Sequence, residues 1–130
     1  MRLVVDANIL FSALIKDGKT AEILANNPGS FYSPEFFFEE FLKHKPEILL
    51  KTKRTEREFN ALFGLLKEIM DIVPKSRYLD MLAKAKEISP DPDDAAYFAL
   101  ALKLELPIWS NDKKLRRQST VRIYSTAELM

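Results

Sequence analysis

The sequence predicts a three-layer α/β/α sandwich, with a central parallel sheet of four to five strands and an inserted helical hairpin. Three observations predict it. Leu3-Val4-Val5 is a short apolar run without polar alternation, as in a strand buried on both faces. Similar short runs at 30–32, 71–74, 107–109 and 121–124 are each separated by helix-patterned sequence, the alternation that builds a parallel sheet covered on both sides. No repeat, low-complexity tract or linker divides the 130 residues, so residues 1–130 read as a single domain.

In chain order, the first strand stops at Asp6, and residues 7–16 carry apolar side chains at helical spacing until Asp17-Gly18. A second short helix over 20–26 closes at Asn27-Pro28-Gly29. After the strand at 30–32, Ser33-Pro34-Glu35 has the form of an N-cap, a proline in the first turn and an acidic residue, predicting a helix to about His44. Residues 47–51 and 56–70 form the hairpin, joined by a charged stretch at 52–55. A strand at 71–74 leads to an amphipathic helix over 77–88. Asp91-Pro92-Asp93-Asp94 is a strong helix start, and the almost wholly apolar 95–105 that follows predicts deep burial. The strand at 107–109 ends at Ser110-Asn111-Asp112. A short helix over 113–118, a strand over 121–124 and a helical turn from Ser125 complete the chain.

Composition narrows the chemistry. There are 20 Lys+Arg against 19 Asp+Glu, one His and no Cys. Disulfides, thiolate zinc sites and a cysteine nucleophile are excluded. A single histidine, His44, rules out a multi-histidine metal site and leaves little room for a Ser-His-Asp triad. With 47% apolar and 30% charged residues, the chain is expected to fold around a real core. No apolar run approaches the ~20 residues of a membrane span, and Met1-Arg2 leads straight into the first strand without a signal-peptide pattern. The expectation is a soluble, cytoplasmic protein whose chemistry rests on carboxylates, hydroxyls or lysines.

In open parallel sheets, sites lie beyond the carboxyl ends of strands, near the point where strand order reverses. Asp6 and Asp112 both follow strands. Each also suits a helix N-cap, but two like charges on neighbouring strands repel. On the helix after Ser33, Glu39 shares a face with Glu35 and Lys43 and reads as a solvated surface residue. Glu40 stands above Phe36 and Phe37, where a carboxylate needs a cation or a hydrogen-bonding partner. Asp91, Asp93 and Asp94 crowd one helix start, more acid than a cap requires. Two unit charges ~5 Å apart at an effective dielectric of ~20 repel by about 3 kcal/mol. Several such pairs rival the ~5–15 kcal/mol stability of a whole domain. A converging cluster therefore persists only when partly protonated or when it binds hard cations, and oxygen-only ligation points to Mg²⁺ or Mn²⁺.

VVDANIL at 4–10, SPEFFFEEF at 33–41, DPDDAAYFALALKLELPIW at 91–109 and SND at 110–112 resemble the PIN domain family, in order and spacing from residue 2 to about 126. The resemblance implies a Rossmann-like α/β/α sandwich and metal-dependent ribonuclease activity, as in VapC-like toxins and RNA-processing nucleases. It matches Asp6, Glu40, Asp94 and Asp112 to the family's four acids, which hold one or two Mg²⁺ or Mn²⁺ ions. Asn8 and Ser110 match polar residues that help order the site, and Asp91 or Asp93 stands ready to assist. Asn111 departs from the Gly or Arg frequent at its position. The implied products carry a 5′-phosphate and a 3′-hydroxyl.

The near-neutral net charge of +1 sums an acidic centre and two basic flanks. Lys43, Lys45, Lys51, Lys53, Arg54 and Arg57 follow Glu40, while Lys113, Lys114, Arg116, Arg117 and Arg122 follow Asp112. Either flank suits phosphate binding, or simply a solvated helix face. Lys43, Lys45, Lys113, Lys114 and Arg116 are the expected RNA contacts. Tyr32, Phe38 and Tyr78 suit base stacking, although core packing is their commoner use. Five of nine phenylalanines fall within 31–41, an excess that suits a homodimer or antitoxin surface as well as core. The leading expectation is an endoribonuclease, with toxin and stand-alone nuclease both open. The main rival is a PIN-like module that binds RNA or a partner without cutting. A haloacid-dehalogenase-type phosphatase is a weaker rival, because it wants a second aspartate where this chain has Asn8.

Overall fold

The chain begins in the middle of its own sheet. In the computed structural model, which describes residues 1–15 and 18–130, β1 (Leu3–Val5) lies between β2 (Phe31–Pro34) and β4 (Ile108–Trp109). Strands β3 (Met70–Val73) and β5 (Ile123–Tyr124) form the edges, giving the order β3-β2-β1-β4-β5 with every pair parallel. Strand alternation divides the core. Leu3, Val5, Phe31 and Trp109 face one layer of helices, and Val4, Val73, Ile108 and Ile123 face the other.

The first layer holds α1 (Ala7–Ile15), α2 (Gly18–Asn26), α3 (Phe37–Lys43), α4 (Lys45–Thr52) and α5 (Glu56–Ile69). Its hairpin, α4–α5, turns at Lys53, which adopts the left-handed conformation, and restarts at a Thr55–Glu58 capping box. The second layer holds α6 (Lys75–Tyr78), α7 (Leu82–Ile88) and the buried α8 (Ala95–Leu104). A terminal turn, α9 (Thr126–Leu129), packs Leu129 against the first layer. Among the described residues, no helix is long and apolar enough to cross a membrane.

Two local expectations differ. Ser33 does not cap a helix: β2 runs on through Pro34, pairing Ser33 with Ile72 and Pro34 with Val73. The Ser33 hydroxyl is fully buried and donates to the Val5 carbonyl, so sheet pairing overrides the local cap signal. Helix α3 instead begins at Phe37 without a side-chain cap. The amphipathic stretch at 77–88 starts two residues earlier, after Pro74, and is broken by a 3₁₀ turn (Leu79–Met81). The predicted end of the first helix, at Lys16 and Asp17, lies outside the described residues.

The phenylalanine excess is largely core. Phe41 is fully buried, with its ring 5.4–6.2 Å from those of Phe11, Phe37, Phe59 and Phe63. It joins α1, α3 and α5. Phe41→Ala is therefore expected to lower stability by about 3–5 kcal/mol in denaturant unfolding. A loss below about 1 kcal/mol would contradict that packing role.

Candidate functional site

The strand order reverses beside β1. The chain steps outward from β1 to β2 and β3, then crosses back to β4 on the other side, which places the switch point at the carboxyl ends of β1 and β4. Asp6 and the Ser110–Asp112 loop meet there. Asp6 is only 5% exposed; its backbone N–H bonds the Trp109 carbonyl at 3.1 Å. Its Oδ1 accepts from the Asn8 backbone N–H at 3.2 Å, and its Oδ2 accepts from the buried Ser110 hydroxyl at 2.8 Å. The same Ser110 oxygen accepts from the Asp112 N–H at 3.1 Å, and Asp112 Oδ1 caps Lys114 N at 3.0 Å. Ser110 thus ties the two acids across neighbouring strands. Asn8 orders Asp6 through its backbone, while its side chain stands exposed.

The other two acids arrive from the flanking layers. Asp94 stands at the start of α8, and Glu40 projects from α3. Asp6, Glu40 and Asp94 line one pocket of about 450 Å³, with Asn8, Lys43, Asp93 and Tyr97 in its walls. Burial pushes the Asp6 carboxyl above the usual carboxylate range; the bonds from Ser110 and Asn8 oppose this, and the charges of Asp112 and Glu40 add to it. Asp94 is pushed up to about 7, first by burial and then by the charges of Asp6, Asp91, Asp112 and Asp93. Asp112 thus reaches the cluster through its field and through Ser110 rather than as part of the pocket wall. Asp91 is chiefly structural, its carboxylate accepting from Asp93 N at 3.0 Å, whereas Asp93 is exposed on the pocket rim.

An all-oxygen donor set under strong mutual repulsion suits a hard divalent cation, which would offset the charge that raises Asp94. Among the described residues, however, no three His, Cys, Asp or Glu side chains are grouped so as to hold a metal ion as they stand. Besides Asp6, held by Ser110 and the Asn8 N–H, two more of the four carboxylates have other partners. Glu40 leans 3.8 Å from Lys43, and Asp112 caps Lys114. The Glu40–Lys43 pair is largely exposed, so giving it up costs little. Lys43 therefore sits with Glu40, not on the Glu39 side where the helix-face argument put it.

Tyr97 escaped the sequence argument. It is 3% exposed, accepts a bond from the Ala7 N–H at 3.3 Å, and is held firmly protonated by burial and by the charges of Asp6 and Glu40. Its signal was present: a hydroxyl three residues after Asp94, on the same face of an otherwise apolar helix. Among the expected RNA contacts, Lys43 lines the pocket and Lys113 and Lys114 are exposed beside Asp112. Lys45 is paired with Glu56 at 3.2 Å and Arg116 with Glu128. Asn111 bonds Thr126 through both side-chain ends, at 3.0 and 2.8 Å, which clamps the Asp112 loop to α9.

Comparison with known proteins gives a consistent picture. The family model described as PIN domain matches residues 4–127. No curated protein matches. Among solved structures, DNA-bound VapBC from Salmonella typhimurium superposes with a TM-score of 0.71 at 16% identity, covering 97% of this chain and 98% of that one. A toxin-antitoxin complex from Klebsiella pneumoniae gives 0.68 at 15%, covering 95% and 97%. VapBC2 from Rickettsia felis, bound to a promoter DNA fragment, gives 0.64 at 14%, covering 96% and 98%. At such identities these three likenesses speak for the fold alone.

Proposed function

The chain belongs to the PIN domain family, and from that premise we propose that it is a metal-dependent endoribonuclease acting as the toxin of a toxin-antitoxin pair. One observation carries the nuclease reading. Carboxylates from three separate elements line one pocket at the sheet's switch point, and the charges around Asp94 help raise it to about 7. Such repulsion is a standing cost unless a cation is the working partner.

In this reading Asp6, Glu40, Asp94 and Asp112 hold one or two Mg²⁺ or Mn²⁺ ions, which supply activation of water and charge stabilisation at the phosphate. Ser110 and the Asn8 N–H keep Asp6 aimed into the pocket. Tyr97, bonded to the residue after Asp6, keeps α8 against β1. Lys43, Lys113 and Lys114 contact RNA phosphates on either side, with Lys45 and Arg116 behind them in their ion pairs. The toxin assignment draws on the toxin-antitoxin structures that share the fold. A protein partner, an antitoxin or a second copy in a homodimer, suits the exposed Leu42, Leu50 and Leu65.

The test is cleavage of single-stranded RNA with and without Mg²⁺ or Mn²⁺. Glu40→Gln is expected to lower the rate by roughly 10²-fold or more. Glu39→Gln, outside the acid pocket, should stay within about twofold of the parent. Equal effects would place the wrong glutamate at the site. The absence of a ready-made metal group among the described residues favours a second reading, a PIN-like module that binds without cutting. Folded protein that binds RNA but shows no metal-dependent cleavage would establish that reading instead.

A further inference from the structure

A second cleft of about 470 Å³ adjoins the acid pocket, and Phe36 and Asp93 line both. It lies over the carboxyl ends of β2 and β3, where Glu35 follows Pro34 and Lys75 follows Val73-Pro74. Resting on the nuclease reading, we propose that this cleft is a subsite for the nucleoside next to the scissile phosphate, with Lys75 and Lys86 holding the phosphate beyond it.

The lining has the amphiphilic pattern of such a ligand. Phe36, half-buried, is braced edge-on against Tyr97 at 5.3 Å between ring centres, and so forms a fixed wall between the two spaces. A base that crosses from one pocket into the other passes this ring, and base–aromatic stacking tolerates any sequence. Leu82, Pro92 and Ala96 supply apolar surface for the sugar and base. The ammonium groups of Lys75 and Lys86 are exposed and have no carboxylate within ion-pairing distance among the described residues. Of the three acids around the cleft, Glu35 is committed, accepting the Lys75 backbone N–H at 3.0 Å. Asp93 is an exposed carboxylate that accepts but never donates, so it suits the amino edge of a base rather than a phosphate, while Glu39 is exposed and is assigned no contact. A strand laid along the carboxyl edge of the sheet then runs from the Asp112 side, across the acids and over Phe36, to the two lysines.

The experiment is fluorescence anisotropy of a labelled single-stranded cytidine octaribonucleotide, titrated with the non-cleaving Asp6→Asn protein over a range of salt. Adding Lys75→Ala and Lys86→Ala is expected to weaken binding at least fivefold and to reduce the slope of log K against log salt by about 0.7, for the one phosphate they hold. Phe36→Leu, which keeps apolar bulk but removes the aromatic face, is expected to weaken binding about fivefold or more without changing the slope. Because both lysines are exposed, their removal leaves the fold intact. Unchanged affinity and slope would overturn the subsite, as would an equal effect from Lys84→Ala with Lys67→Ala, which lie outside the cleft. The two readings fail separately. Metal-dependent cleavage by the parent, with no binding defect in the lysine variant, leaves a nuclease without this subsite. A binding defect without any cleavage by the parent removes the nuclease reading and leaves a nucleotide-binding cleft.

Discussion

Asp6→Asn is expected to reduce metal-dependent cleavage by roughly 10²–10³-fold, the cost of losing one group that stabilises a transition state, while raising the melting temperature of the metal-free protein. The two effects have one cause. Asp6 is buried among like charges, and its carboxyl is driven upward by burial despite two hydrogen bonds. An amide is nearly the same size, keeps an oxygen to accept the Asn8 N–H, and directs its NH₂ toward Ser110 Oγ, which has a second lone pair to receive it. Desolvation of a charge and repulsion from Glu40 and Asp112 disappear together. Most substitutions of a buried, hydrogen-bonded polar residue destabilise, so a higher melting temperature paired with lost cleavage is a distinctive outcome. A lower melting temperature would show that the hydrogen bonds outweigh the repulsion. Retained cleavage would remove Asp6 from the chemistry.

The parts of the molecule that the sequence made legible are those where a local pattern agrees with the global fold. Leu3–Val5 ending at Asp6, Trp109 ending at Ser110, and the apolar α8 behind Asp94 each carry their own boundary signal, and the five parallel strands follow from them. Ser33 shows the opposite case. Its cap chemistry is sound locally, but pairing with Ile72 and burial beneath the sheet are decided by a strand 37 residues later. No window around Ser33 contains that information. The break inside 77–88 is similar in kind, because helical periodicity continues through it and Tyr78 and Ala85 are both buried on the core side.

The acid pocket was legible as a set of residues but not as a geometry. Helix-face reasoning set Glu40 apart from Glu39, and the two line different spaces, Glu40 the pocket with Asp6 and Glu39 the neighbouring cleft. It misplaced Lys43, because a side chain of that length reaches either neighbouring glutamate. The Ser110 bridge between Asp6 and Asp112 spans 104 residues, and only the parallel register of β1 and β4 brings its ends together. The basic flanks were legible as charge, but not as partners: Lys45 with Glu56, Lys51 with Glu47 and Arg116 with Glu128 tie up three of the eleven basic residues in ion pairs.

Stability should depend on pH and divalent metal in a linked way. Asp94 sits at about 7 in the folded protein, against the ordinary aspartate value of 3.8, and Asp6 is raised in the same direction. Between these limits the folded state holds protons that the unfolded chain has released. Through Asp94 the metal-free protein therefore loses stability as pH rises from about 4 to about 7, and Asp6 adds to the loss in the same direction. Its melting temperature is expected to rise on acidification from pH 8 toward pH 5, the reverse of a protein held by salt-bridged carboxylates. Mg²⁺ or Mn²⁺ competes with those protons for the same oxygens. At pH 8, an ion present at about 100 times its dissociation constant adds about 2.7 kcal/mol. For a chain of this size that is a shift of roughly 8–13 °C. At pH 5 the same concentration should shift the transition far less, and in Asp6→Asn the shift should shrink at both values. Thermal scans over pH 5–8, with and without metal, read all three quantities. A metal shift independent of pH would mean that the ion binds somewhere other than the protonated acids. No shift at any pH would leave the four carboxylates without the cation that explains their proximity.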